Sequence, residues 1–365
     1  MSNPHFTAAM PVRLYESEAS PATIAARFGL DPAAIVDFSL NINPFGPPRA
    51  AVAAAAAALA CCNEYPDLKL GALRHALARR HDVAEDGLLF GAGLDDVIKL
   101  LLHALASEGG RVLVHLPTFP RYELEARLRG AEIVAVENDP PWTIDPARIA
   151  AALAAQPVEL AFLCSPNNPT GETIPATRIA ALAADFPATV FVVDEALANP
   201  LDAGVLPAVR DAANVILLRT FSKYFGLAGL RVGYAIGPSA LLGLVERGRP
   251  PFNVTHAAEA AAVAALADRR FLDTCRETFA AESALFCAGL ERLANFRLRG
   301  RNANMLLLEL VGHRTAEVVD ALAAQGFLVA DAACFGGLGG HAAIRISLRD
   351  RTANARLLAA LNQFE

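Results

Sequence analysis

The sequence predicts an α/β protein: a large domain on a mostly parallel sheet, followed by a smaller α+β domain. Three observations carry this. Apolar runs at 88–90, 111–116, 158–164, 188–194 and 214–218 read as buried strands. They alternate with helical stretches such as 175–185 and 240–247, the pattern of βα units. After Arg249-Pro250-Pro251 the character changes to a long helical region at 256–295, an apolar run from Asn304 to Leu310, a helix at 314–325 and a strand at 327–330. The expected division is an arm over 1–48 packing with the small domain, a large domain over 49–247 and a small domain over 248–365. In such a sheet the site lies at the carboxyl ends of the strands.

Composition narrows the function classes. The chain has 365 residues, 54% of them hydrophobic, enough for a large core. Its net charge of −6 and its lack of a basic tract speak against nucleic acid as a partner. No apolar run is long and pure enough to predict a membrane span, and the first residues show no basic segment followed by an apolar one. The six cysteines are scattered and the histidines do not cluster, so reduced thiols, no metal and a cytoplasmic setting are expected.

Taken in order, Ser20-Pro21 opens a short helix with a capping serine and an early proline. Asp37 to Pro48 is a short extended piece ended by proline and glycine, and the Ala-rich run 50–60 is a helix. A polar turn, Asn63-Glu64-Tyr65-Pro66-Asp67, follows. Gly87 to Leu101 reads strand, glycine turn, helix. Gly91 and Gly93 permit the tight turn, and Leu94 and Asp95 open a helix whose free N–H groups and dipole suit a phosphate. Arg111 to Pro120 is a strand with a proline-bounded turn carrying Phe119, and Val158 to Gly171 is a strand running into a rigid Pro-Asn-Asn-Pro-Thr-Gly turn.

Asp194 ends an all-apolar strand, a costly place for a carboxylate unless it is paired. Lys223 follows the next strand among Thr220, Ser222 and, further on, Arg231. A lysine there, with hydroxyls and an arginine to hold an anion, suits a Schiff-base site for a phosphorylated aldehyde. An ordinary solvated loop lysine fits that stretch alone equally well. Arg345 lies in the apolar strand Ala343-Ile-Arg-Ile-Ser, where an inward arginine needs an anionic partner. The glycine-rich segment Phe335–His341 before it is a candidate mobile lid.

Several of these motifs stand together in one order: Asp37-Phe-Ser-Leu-Asn-Ile-Asn-Pro44, Ser165-Pro-Asn-Asn-Pro-Thr-Gly171, Val193-Asp194-Glu195, Thr220-Phe-Ser-Lys223 with Leu230-Arg231-Val-Gly-Tyr234, and Ile344-Arg-Ile-Ser347. The set resembles pyridoxal-phosphate (PLP) enzymes of the aspartate-aminotransferase fold, PLP-dependent fold type I. The branch it resembles most holds histidinol-phosphate aminotransferase and threonine-phosphate decarboxylase. The resemblance implies a seven-stranded sheet, PLP as cofactor and a homodimer. It implies that Lys223 holds the cofactor and moves protons, that Asp194 pairs with the pyridinium nitrogen, that Asn168 bonds the ring oxygen and that Phe119 stacks on the ring. Leu94, Asp95, Thr220, Ser222 and Arg231 would surround the phosphate, with Tyr65 reaching the phosphate of the neighbouring subunit. Arg345 would clamp the substrate carboxylate, and Asn41, Asn43 and Asn304 would face the substrate; His341, in the glycine-rich segment before Arg345, is a candidate to face it too, though an ordinary solvated loop histidine fits equally well.

The sequence also departs from the family pattern. Leu94 stands where a small residue is usual, and Leu197 where aminotransferases of the group have a tyrosine. Ala330 replaces an arginine of relatives that handle phosphorylated substrates, and Tyr15-Glu16-Ser17-Glu18 places two glutamates near the expected phosphate pole. The expectation is therefore an aminotransferase passing the amino group of an unphosphorylated L-amino acid to a 2-oxo acid, and inactive on histidinol phosphate or threonine phosphate. A decarboxylase on the same scaffold is the alternative, favoured by Leu197 and the 37–44 segment. A non-catalytic relative is disfavoured because Lys223, Asp194, Asn168, Arg231 and Arg345 are all present.

Overall fold

A computed structural model describes residues 20–365. The Tyr15–Glu18 segment lies outside the described residues.

The strands are β1 (Val36–Asp37), β2 (Leu88–Gly91), β3 (Arg111–Leu116), β4 (Glu132–Glu137), β5 (Leu160–Cys164), β6 (Val190–Asp194), β7 (Val215–Thr220), β8 (Gly233–Ile236), β9 (Phe296–Asn302), β10 (Met305–Leu310), β11 (Phe327–Leu328), β12 (Ala330–Asp331) and β13 (Ala343–Ser347). The helices are α1 (Pro21–Phe28), α2 (Arg49–Ala58), α3 (Gly71–His81), α4 (Leu94–Leu105), α5 (Arg121–Leu128), α6 (Pro146–Ala155), α7 (Ala176–Asp185), α8 (Leu206–Val209), α9 (Ser239–Glu246), α10 (His256–Ala267), α11 (Arg269–Leu290), α12 (Thr315–Ala323) and α13 (Arg351–Leu361).

The large sheet has seven strands in the order β2-β8-β7-β6-β5-β3-β4. Its neighbours pair in parallel from β7 across to β4, and β8 runs antiparallel to both β7 and β2. Side chains of each central strand alternate between two cores. Val192, Ile216 and Leu218 pack with α4 and α9 on one face, while Val193, Val215 and Leu217 pack with α3, α7 and α10 on the other. Burial on both faces is why these strands are apolar throughout. The parallel register ends with Cys164 beside Asp194 and Asp194 beside Leu218, so the ends of β5, β6 and β7 open side by side.

The small sheet has the order β12-β13-β10-β9 and packs with α13 and the end of α11. The N-terminal arm belongs to this body in two ways: β1 pairs in parallel with β11, and Phe38 is fully buried in the small core. The expected boundary at 248 does not mark where the cores divide. Helix α10 is rich in alanine and lies closely on α2 and α3, and the first half of α11 (Leu272, Cys275, Phe279) is still in the large core. The second half of α11 (Phe286, Cys287, Leu290) is in the small core, so this helix joins the two.

No helix among the described residues is long and apolar enough to cross a membrane.

Candidate active site

A cavity of about 290 Å³ opens where the ends of β5, β6 and β7 face the arm and β13. Each wall follows from local folding. At one end, the chain leaves β2 through Gly93, whose φ of +88° is strained for any side chain, and whose absent Cβ would lie 2.2 Å from Arg231 Nη2. No side chain caps α4, so its first N–H groups are left for an anion. Around them stand Thr220, Ser222 and Arg231. The Ser222 N–H donates to Thr220 Oγ1 at 3.1 Å, and Arg231 reaches Asp95 Oδ2 at 3.4 Å. Arg231 itself sits in the left-handed region at φ 53°.

At the floor, Asp194 is 3% exposed. Its Oδ2 accepts from the Tyr122 hydroxyl at 2.6 Å and its Oδ1 from the Ala196 N–H at 2.8 Å. Burial pushes its carboxyl pKa up. The Tyr122 bond, the Ala196 bond and the charge of Lys223 pull it the other way. Phe119 lines one side, set edge-on to Tyr122 at 5.6 Å, and Lys223 lines the cavity from the turn after β7.

At the other end, Arg345 projects from β13 and is 4% exposed. Its Nη1 donates to Asn168 Oδ1 at 2.9 Å and its Nη2 to the Ser39 carbonyl. The turn that presents Asn168 is fixed by its neighbour. Asn167 is fully buried, accepts from Thr118 Oγ1 at 2.8 Å, and donates to Pro117 O at 2.9 Å and Thr170 Oγ1 at 2.8 Å.

The structure thus gathers Leu94, Asp95, Phe119, Asn168, Asp194, Thr220, Ser222, Lys223, Arg231 and Arg345 on one cavity. Four predicted residues are not on it. Tyr65 is 79% exposed, stacked on Phe252 at 4.6 Å beside a separate surface hollow. Asn43 donates to Tyr224 O at 2.7 Å, and Asn304 to Ile42 O at 3.0 Å and Leu348 O at 3.3 Å, and both line a small adjoining hollow with Asn41 and Lys223. His341 lies edge-on to Trp142 at 5.2 Å. Asn41 does reach the cavity, though its amide is engaged by Met305 Sδ and Ser347 Oγ. The 335–341 segment is pinned by buried Phe335 and Leu338, with Phe335 facing the Arg345 guanidinium at 5.4 Å. Sequence reasoning missed Tyr122, Asn167 and Cys164. The aromatic pair 119/122 was the available signal for the first.

Over residues 33–361 the chain matches the family described as aminotransferase class I and II. It belongs to that family. A histidinol-phosphate aminotransferase of Symbiobacterium thermophilum is 38% identical over 332 residues, 90% of each chain. A histidinol-phosphate aminotransferase of Sinorhizobium meliloti, solved in complex with pyridoxal-5'-phosphate, superposes with a TM-score of 0.83 at 26% identity, over 95% of this chain and 94% of that one. An L-threonine-O-3-phosphate decarboxylase of Porphyromonas gingivalis does so with a TM-score of 0.79 at 25% identity, over 90% and 99%. The expected fold type I, its seven-stranded sheet and the class of enzyme are borne out.

This aminotransferase is PLP-dependent, and the cavity fits the cofactor on its own chemistry. An uncapped helix start with an arginine and two hydroxyls suits a phosphate at one end. A buried carboxylate suits a protonated ring nitrogen at the floor, and the lysine lies between.

Proposed function

We propose that this aminotransferase moves the amino group of a small amino compound bearing an anionic group to a 2-oxo acid, with histidinol phosphate as the first candidate. The observation that carries the proposal is Arg345, buried at the end of the cavity away from the phosphate cup and aimed across it beside Asn168. The Symbiobacterium relative, a histidinol-phosphate aminotransferase, supplies the candidate. Relatives at this level of identity weigh against the expectation of an unphosphorylated donor. That expectation stays as the second reading because of one observation: Ala330 is the register partner of Arg345 across β12 and β13, so a methyl group stands where a second guanidinium would flank the first. The decarboxylase reading has less support, since the matched family and curated relatives at 36% and 38% identity are named as aminotransferases.

When bound, PLP supplies the aldehyde carbon that accepts the amine and the protonated ring that withdraws electrons from the substrate Cα. The chain's residues have separate tasks. Arg231, Ser222, Thr220 and the α4 N–H groups hold the phosphate, with Leu94 and Asp95 at its edge. Asp194 would hold the proton on the ring nitrogen, Phe119 would cover the ring, and Asn168 would bond its oxygen. Arg345 binds the substrate anion and so sets which Cα bond faces the ring. Lys223 would hold the cofactor through its Nζ and, with that amine free, would be the base that moves the substrate Cα proton. Tyr65, exposed beside Phe252, is assigned to the partner's site in a cytoplasmic homodimer.

The test is a single-turnover panel with the purified holoenzyme: histidinol phosphate, threonine phosphate and unphosphorylated L-amino acids, with products and cofactor identified by mass spectrometry. Pyridoxamine phosphate formed with histidinol phosphate supports the first reading. The same product only with unphosphorylated amino acids supports the second. An amine and carbon dioxide, with PLP unchanged, would overturn transamination.

A further inference from the structure

Resting on that reading of the cavity, we propose that Tyr122 is a positioning residue for the reaction: its hydroxyl holds Asp194 ionised and aimed at the cofactor ring. Tyr122 lies at the second position of α5, just past Phe119 and the Pro120 turn. It is fully buried, its ring stacks on Phe162 at 4.7 Å, and its hydroxyl donates to Asp194 Oδ2 at 2.6 Å. A phenylalanine would make the same stack, so packing does not account for the hydroxyl. What the hydroxyl adds is a donor to a carboxylate that burial would otherwise drive toward its neutral form.

Four elements face Asp194, and only Tyr122 both donates to the carboxylate from a side chain and stays neutral. Cys164 on β5 is uncharged, its thiol pushed up to about 12 by burial. Lys223 favours the ionised carboxylate from the turn after β7, and Asp95 at the start of α4 opposes it. The Ala196 N–H donates to Oδ1. Burial is the largest influence on Asp194, and the Tyr122 bond is the largest of those that counter it. Burial and the neighbouring carboxylate raise the phenol well above its ordinary value, so Tyr122 is a proton donor at any working pH. A neutral Asp194 would not hold a proton on a pyridine nitrogen, and the ring would then be a weaker electron sink.

The sign of the test follows. Losing the hydrogen bond raises the Asp194 pKa, so the ionised form is lost at higher pH. In Tyr122→Phe, the acid limb of the kcat/KM profile moves up by about one pH unit. The ring-nitrogen transition, followed by NMR with isotope-labelled PLP, moves the same way. kcat falls, the donor KM changes little, and the apoprotein melts close to wild type. A limb and a transition that stay at the wild-type pH overturn the proposal, whatever happens to kcat. If Tyr122→Phe does not fold, fluorotyrosine at position 122, a more acidic and stronger donor, must move both transitions down, and unmoved transitions overturn the proposal again. Wild-type protein that neither binds PLP nor transaminates would overturn the functional reading itself, and this inference with it.

Discussion

Replacing Arg345 with lysine keeps a positive charge at the far end of the cavity and removes the planar fork. The guanidinium now holds Asn168 Oδ1 at 2.9 Å and the Ser39 carbonyl through different nitrogens. Two anchors fix its plane, and a fixed plane is what gives an anionic group two parallel donors. A lysine ammonium reaches at most one anchor and offers one strong contact. A charge-assisted hydrogen bond contributes about 1.5–3 kcal/mol. Losing one while the charge remains sets the expected loss near ~2 kcal/mol, about thirtyfold in kcat/KM for the amino donor. The loss should fall mainly on KM, because the anion is held alike in ground and transition states. Initial rates over a range of donor concentrations measure it, beside a PLP titration of the apoprotein. PLP affinity should change less than about threefold, since the phosphate cup is at the opposite end. An unchanged kcat/KM, or a PLP affinity that falls as far as kcat/KM, would refute the assignment of Arg345 to the substrate.

Two further predictions concern the cup and the core. Gly93→Ala forces a Cβ to 2.2 Å from Arg231 Nη2 at a φ of +88°. PLP affinity should fall about tenfold or more, read by titration of the apoprotein, with the donor KM at saturating PLP nearly unchanged. The second prediction is acid sensitivity. Burial lowers His115 to about 4, and burial with Arg219 and Arg80 lowers His81 to about 3, both from 6.5. The unfolded chain takes up these protons near pH 6.5 and the folded chain does not. Stability from these groups is therefore full above 6.5 and lost as pH falls toward about 4 and about 3. Thermal melts from pH 7 to 4 should show a falling melting temperature, and His115→Gln should flatten the fall.

Most of the sheet was legible because its strands are buried on both faces, which writes continuous apolar runs into the sequence. Strand β4 was not: at one edge of the sheet it mixes exposed Glu132, Ala135 and Glu137 with buried Val134 and Val136, so it carries no continuous apolar run. The named residues that line the cavity sit at strand ends or in turns whose composition is itself unusual: a carboxylate after an apolar strand, a lysine among hydroxyls, glycines before a helix. Tyr122 carries no such mark. Its meaning depends on a contact with Asp194, far along the chain, and its place three residues after Phe119 gives no sign of that contact. Asn43 and Asn304 lie off the main cavity for the converse reason: which way a side-chain amide turns is decided by nearby carbonyls, and those of Tyr224, Ile42 and Leu348 take them.

Arg345 shows why the substrate end was harder to read than the cofactor end. The residues proposed to hold the cofactor, from Leu94 to Arg231, lie on the large sheet, its connecting turns and the first turn of α4, so their spacing is set largely by strands paired in a fixed register. The substrate end is assembled from three separate segments: β13 supplies the guanidinium, the arm supplies the Ser39 carbonyl, and the turn after β5 supplies Asn168. A change in any one of them reorients the same fork. The register of β12 on β13 then decides how many cations an anion meets, and here that register sets Ala330 against Arg345. On the proposed role of Arg345, substrate choice depends on how the small sheet and the arm meet the large domain. An arginine restored at position 330 would act through Arg345's own surroundings, leaving the phosphate cup as it is.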